Sequence, residues 1–225
     1  EVVGHGSGQL MPGTDPGALK GYQTPLEEAR ADLFGLYYLP DAKLIEMELL
    51  PNAEAYKAQY DSYVLNGLMT QLARIELGKN VEQAHMRGRQ MISKWVFEKG
   101  KADQVIEMYN NEGKTFIRIN DYAKLRNLFG ELLAEIQRIK SEGDYAAGEA
   151  LVENYGVLID LDLHKEIRER YAKLNRAVFG GFVNPELIPV IENDEIVNVK
   201  VEYPDNYTKQ MLKYGEEYSF LPTYN

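Results

Sequence analysis

Cysteine is absent from these 225 residues, so neither a disulfide framework nor a thiolate metal site can exist here. Any metal must be held by histidine, aspartate or glutamate, and histidine is scarce: His5, His85 and His164 are the full set. Positive charge is also short, with 25 Lys+Arg against 35 Asp+Glu and a net charge of −10. A nucleic-acid binder needs a basic face to displace counterions from phosphate, so that class of partner is excluded. The same balance disfavours docking on an anionic membrane surface. No apolar run reaches bilayer length, and the missing signal peptide carries little weight because the natural N-terminus is not in view; the expected location is cytoplasmic. Internal repeats and low-complexity linkers are missing too.

What is present is an ordinary soluble composition, 44% hydrophobic and 27% charged, in a chain long enough to bury a core. Residues 4–24 are rich in glycine and proline and read as an irregular loop. Thr24-Pro25-Leu26-Glu27 reads as a helix start, with Thr24 as N-cap, Pro25 at the first helical position and Glu27 closing a capping box. That helix should run to about Tyr38, before Pro40. Apolar residues at three- and four-residue spacings predict helices over about 52–77 and 81–98. Two β-rich runs flanking Asn110-Asn111-Glu112-Gly113 predict a hairpin. Further helices are expected near 121–142, 144–155 and 163–179, the last ended by Gly180-Gly181. Strands at 188–191 and 195–201 and a short helix near 205–214 complete the chain. The expected fold is mainly α, a single helical domain over 1–225 with a β-hairpin and a few C-terminal strands.

Chemistry concentrates in three short segments. Glu1-Val2-Val3-Gly4-His5 places a glutamate four residues before a histidine, a pattern that alone is more often a solvated helix end than a site. Glu27-Glu28-Ala29-Arg30-Ala31-Asp32 puts Glu28 and Asp32 on one helical face, where two carboxylates repel unless a cation relieves them. The competing explanation is an acidic helix start favoured by the helix dipole. Small Ala29 and Ala31 suit a helix pressed closely against another element. Gln83-Ala84-His85-Met86-Arg87-Gly88-Arg89 is the third segment; a lone helical histidine is usually a packing or surface residue.

In combination these segments resemble the dipeptidyl peptidase III family of zinc exopeptidases. That family pairs His-Glu-x-x-Gly-His with a downstream Glu-Glu-x-x-Ala-Glu/Asp and a Gln-Ala-His-Met-x-x-Arg stretch. The resemblance implies a helical zinc-bearing lobe, with Zn2+ as cofactor and His5 and Glu28 as metal ligands. Glu1 would be the general base, His85 the support for the oxyanion, and Glu27 and Asp32 the groups that orient ligand imidazoles. Arg89 and Arg176 would contact substrate, an oligopeptide that loses dipeptides from its N-terminus. The family's insertion before the second histidine also implies a bulge in the motif helix near Gly4.

The chain departs from the family pattern in having no histidine before Glu1. On that reading it lacks one of three zinc ligands, is expected to bind zinc weakly or not at all, and is inactive by itself. The upstream lobe of the parent would be absent, leaving apolar surface for self-association or for the missing part. The alternatives are a non-catalytic helical module that binds a peptide or partner, and a zinc peptidase of thermolysin-like type. Among the remaining residues, His164 reads as a solvated helix-start residue, 165–170 as a solvated mixed-charge face, and the 16 tyrosines as core residues with a wet tip.

Overall fold

The computed structural model describes residues 2–6, 8–175, 183–203 and 206–220. Its fold is mainly α, as the periodicity predicts, with two small antiparallel hairpins. Backbone contacts divide it into two compact units, Glu1–Arg176 and Ala177–Asn225.

The first unit opens with α1, Val2–Gly6, which packs on α2, Gln23–Tyr38. The glycine-rich stretch is thus not all loop, since its first residues lie in α1 and Lys20–Tyr22 forms a 3-10 turn. Residues 2–6 are regular α-helix, so the bulge expected near Gly4 is not found among them. The start of α2 also differs from expectation. The 3-10 turn runs straight into the helix, and the Gln23 amide already bonds the Lys20 carbonyl. With its first donors occupied by backbone, α2 has no side-chain cap and Thr24 lies inside it. Its end at Tyr38 is as predicted.

After the short α3, Ala42–Glu46, the predicted helix over 52–77 becomes two pieces. Helix α4 spans Ala55–Leu68, Met69 breaks the helical dihedrals, and Thr70–Arg74 continues as a 3-10 turn. His164 is 1% exposed, and its Nε2 lies 3.1 Å from the carbonyls of both Leu72 and Ile75. An N–H there caps carbonyls at the end of the 3-10 turn, beyond the break. His164 is therefore a buried structural residue, not a solvated one. Replacing it by leucine removes this donor, and we expect a loss of about 2 kcal/mol, measured as a lower urea midpoint at unchanged m-value.

Helix α5, Ala84–Lys99, starts three residues later than its periodicity suggests, because the Gln83 side chain caps it by accepting the Met86 amide at 2.8 Å. The predicted hairpin forms from β1, Ile106–Asn111, and β2, Lys114–Ile119, around positive-φ Glu112 and Gly113. Helix α6, Tyr122–Glu142, buries Leu125, Phe129, Leu132, Ile136 and Ile139 along one stripe and ends at left-handed Gly143. Helix α7, Tyr145–Val152, passes into a π-helical turn at Glu153–Val157, and α8 runs Leu161–Ala172 behind the Asp160 cap. The mixed-charge run on α8 is partly engaged rather than solvated. Glu166 accepts both the amide and the hydroxyl of Thr115, at 2.8 and 2.6 Å, and Arg170 donates to the Thr115 carbonyl. Gly180-Gly181, the expected end of that helix, lie outside the described residues.

Helix α2 lies against both α5 and α6, and α4 packs on α5. The core between them includes Leu26, Leu33, Tyr60, Met91, Ile92 and Phe129. Tyr60 shows the expected amphipathic tyrosine, its ring edge-on to Phe129 and its hydroxyl on the Leu36 carbonyl at 2.7 Å.

In the second unit, β3, Glu186–Glu192, and β4, Glu195–Glu202, form a hairpin around Asn193 and Asp194, both at positive φ. Helix α9, Tyr207–Tyr218, follows an Asn206 cap. Buried Gln210 bonds the Asn184 amide and carbonyl, both at 2.8 Å, which fixes the entry to the hairpin.

Candidate functional site

Two helix contacts bring the three sequence segments together. At the first, a Cβ on Gly4 would stand 2.8 Å from the Ala31 Cα and 2.9 Å from its carbonyl oxygen, so α1 rests on the bare backbone of α2. At the second, a Cβ on Gly88 would stand 3.2 Å from the Ala29 amide nitrogen, where α5 crosses α2. The small residues Ala29 and Ala31 are thus where other elements close on α2. The result is His5 from α1, Glu27 and Glu28 from α2, and His85 from α5 in one place.

His5 is held on both sides of its ring. Its Nδ1 lies 2.9 Å from Glu27 Oε1, and its Nε2 lies 3.5 Å from Glu28 Oε2. Burial pushes the Glu27 carboxyl up, but hydrogen bonds from Arg30, Lys140 and His5 outweigh it and hold it at about 2. Glu27 is therefore an anion at neutral pH and can only accept, so His5 Nδ1 carries the proton between them. In a neutral ring that leaves the Nε2 lone pair facing the Glu28 carboxylate. Two electron-rich groups at that distance favour a proton or a cation between them.

Glu28 is a shared group. Its Oε2 also meets His85 Nδ1 at 3.1 Å, so two imidazoles converge on one carboxylate oxygen. Glu28 is 17% exposed and His85 48%, so the cluster opens to solvent on the α5 side. Asp32, one turn along α2, accepts the Tyr63 hydroxyl at 2.7 Å. Arg89 lies over the Tyr63 ring at 5.9 Å. These three residues line a cleft of about 580 Å³ with Leu36, Gln59 and Ala31.

Arg30 anchors the arrangement. It is 2% exposed and donates from Nη2 to the Gly4 carbonyl at 2.7 Å, to the His5 carbonyl at 3.2 Å and to Glu27 at 2.8 Å. Lys140, from the far end of α6, reaches Glu27 Oε2 at 2.6 Å. One guanidinium thus fixes both the backbone of His5 and the carboxylate that orients its ring. Sequence reasoning passed over Arg30, although Glu27-x-x-Arg30 has the spacing of a helical ion pair. Lys140 and Tyr63 carry no local signal, since their partners come only with the fold.

Glu1 and Arg176 lie outside the described residues. Among the described residues, no group of three or more His, Cys, Asp or Glu side chains is gathered to hold a metal. None of the described helices is long and apolar enough to cross a membrane.

His5, Glu28 and His85 lie together in the fold, and comparison with known proteins settles the affiliation. Residues 14–207 match the family description of peptidase family M49. The chain belongs to that family. Curated proteins similar to this M49 chain include dipeptidyl peptidase 3 of Mus musculus, 27% identical over 200 residues, and that of Homo sapiens, 26% identical over 200 residues. Each alignment covers 71% of this chain and 27% of the relative, so the chain spans roughly a quarter of their length. Among solved structures, DPP III from Caldithrix abyssi superposes with a TM-score of 0.54 at 20% identity, covering 75% of this chain and 30% of that one. At that identity the likeness speaks for the fold.

Proposed function

We propose that this M49 chain carries the zinc-bearing helical part of a metallopeptidase that releases dipeptides from the N-terminus of oligopeptides. One observation carries the reading: Glu27 accepts a hydrogen bond from His5 Nδ1, which leaves Nε2 facing Glu28 at 3.5 Å. An imidazole oriented by a carboxylate, opposite a second carboxylate, is the donor chemistry that zinc prefers. His5 and Glu28 supply two of the three protein ligands usual in a catalytic site, so the residues present fit the metal in kind. Zinc, when bound, polarises a scissile carbonyl and makes a water acidic.

The protein's own residues then divide the remaining work. Glu27 keeps His5 in the tautomer that presents Nε2, and Arg30 fixes the backbone that carries it. Glu1 is assigned the general base, as a carboxylate four residues before the ligand. His85 sits on the exposed side of Glu28, where its second ring nitrogen can donate to the oxygen that gains charge. Arg89, beside the cleft around Tyr63, is assigned to substrate positioning, and Asp32, with Glu27, to orienting the ligand imidazoles. Arg176 remains an assignment from sequence.

Zinc content, measured together with dipeptide release from a dipeptidyl-arylamide by the parent protein, tests this. Glu28→Ala should lower zinc affinity by about 100-fold or more, as expected for a ligand. His85→Ala should retain zinc and slow turnover by about 100-fold. Unchanged zinc content in Glu28→Ala removes the ligand assignment.

A further inference from the structure

A second cavity lies away from the histidine cluster, bounded by the C-terminal half of α5, the β1–β2 hairpin, the π-helical turn and the start of α8. It measures about 670 Å³, the size range of small-molecule sites. Leu68, Phe97, Met108 and Leu163 give it apolar walls.

Its charges are of both signs, and four of the six charged side chains already have hydrogen-bond partners. Glu166 is held by Thr115 and Arg170, Glu98 accepts the Tyr155 hydroxyl at 2.8 Å, and Asp160 caps α8 by accepting the Leu163 amide at 2.8 Å. The Lys94 ammonium is bonded to the Leu158 carbonyl. Two charges remain. Lys101 and Asp162 also line the cavity, and neither side chain has a hydrogen-bond or ion-pair partner among the described residues.

The π-helical turn is a second pointer. It contributes Asn154 and Tyr155 to the wall. Such turns are uncommon and recur at functional sites. This one is clamped by buried Gln90, whose amide donates to the Leu158 carbonyl at 3.1 Å and the Tyr155 carbonyl at 3.4 Å. The wall is thus pinned at the turn, and the two charged side chains without partners are exposed at its rim.

We propose that this cavity binds a small zwitterion with an apolar body, its ammonium meeting Asp162 and its carboxylate meeting Lys101. A free dipeptide with apolar side chains has that chemistry and fits the volume. The assignment rests on the cavity's own charges and not on the peptidase reading.

Calorimetric titration with leucyl-phenylalanine, alongside amide shifts of Thr115 and Asn154 in NMR spectra, tests it. We expect saturable binding that shifts both amides. N-acetyl-leucyl-phenylalanine amide, which lacks both charges, should bind about tenfold more weakly, and Lys101→Ala and Asp162→Asn should each weaken the free dipeptide about threefold. Both side chains are exposed, so melting temperatures should not change. Glu28→Gln should leave this binding intact, which separates the cavity from the candidate zinc site. Equal affinity of the capped and free dipeptides, no effect of either cavity variant, loss of binding in Glu28→Gln, or no binding at all would each overturn the proposal.

Discussion

Arg30→Met should be among the most damaging single changes in the first unit, costing about 3 kcal/mol and lowering the melting temperature by roughly 6–12 °C. Methionine fills similar volume but donates nothing. The Gly4 and His5 carbonyls then lose their buried partner, and Glu27 keeps only Lys140 and His5. A melt within about 2 °C of the unchanged protein would show that water replaces the guanidinium. Lysine at this position should rescue little, since one ammonium cannot match the fork that serves two carbonyls and a carboxylate.

The same network sets a pH dependence. Glu27 is held at about 2 in the folded state, against 4.5 for an unperturbed glutamate. Its folded value is depressed, so the stability it contributes is present above pH 4.5 and is lost as pH falls toward 2. Allowing for solvent screening, about 2 kcal/mol should disappear across that window. Urea midpoints from about pH 6 down to about pH 2 measure it. Glu27→Gln should be less stable at neutral pH and show a shallower decline through acid. A parallel decline in both proteins would assign the acid sensitivity to other carboxylates.

Gly67→Ala is the second large effect. Added to Gly67, a Cβ would stand 2.6 Å from the Arg89 carbonyl oxygen and 2.7 Å from the Ser93 Cβ, both on α5. Helix propensity alone would favour alanine by about 1 kcal/mol. The clash wins, because a backbone carbonyl cannot rotate away and α4 must retreat from α5. We expect a net loss of about 3 kcal/mol, read as a lower denaturant midpoint. Ser93→Gly in the same chain should restore only part, since the Arg89 carbonyl stays in place. Gain of stability in Gly67→Ala would mean that the two helices are not in contact there.

How much of this is legible in the sequence depends on where each determinant lies. The hairpin around Glu112-Gly113 and the stripe of α6 are readable because their causes are local: a turn needing positive φ, and a 3.6-residue period. The break at Met69 is not, because the apolar spacing continues through it. Nor is buried His164, which bonds the end of the 3-10 turn after that break, readable from its own neighbours. The site divides in the same way. His5, Glu28 and His85 are marked by their neighbours in sequence, and Glu27 by its place beside Glu28. Lys140 gives no such sign, and His164 reads wrongly as solvated, because burial and partners are not properties of a short window.

Sequence alone determined the absence of thiolate chemistry, the acidic balance, the mainly helical class and the three segments that carry the family resemblance. Those follow from composition and from periods shorter than a dozen residues. Tertiary structure decided what the segments do to each other. Gly4 and Gly88 let α1 and α5 approach the backbone of α2, and only that approach puts two imidazoles on one Glu28 oxygen. Arg30 then became a buried clamp because its carboxylate and both carbonyls lay within reach of a single guanidinium. Distances of about 3 Å between residues far apart in the chain are set by packing, and no local pattern encodes them.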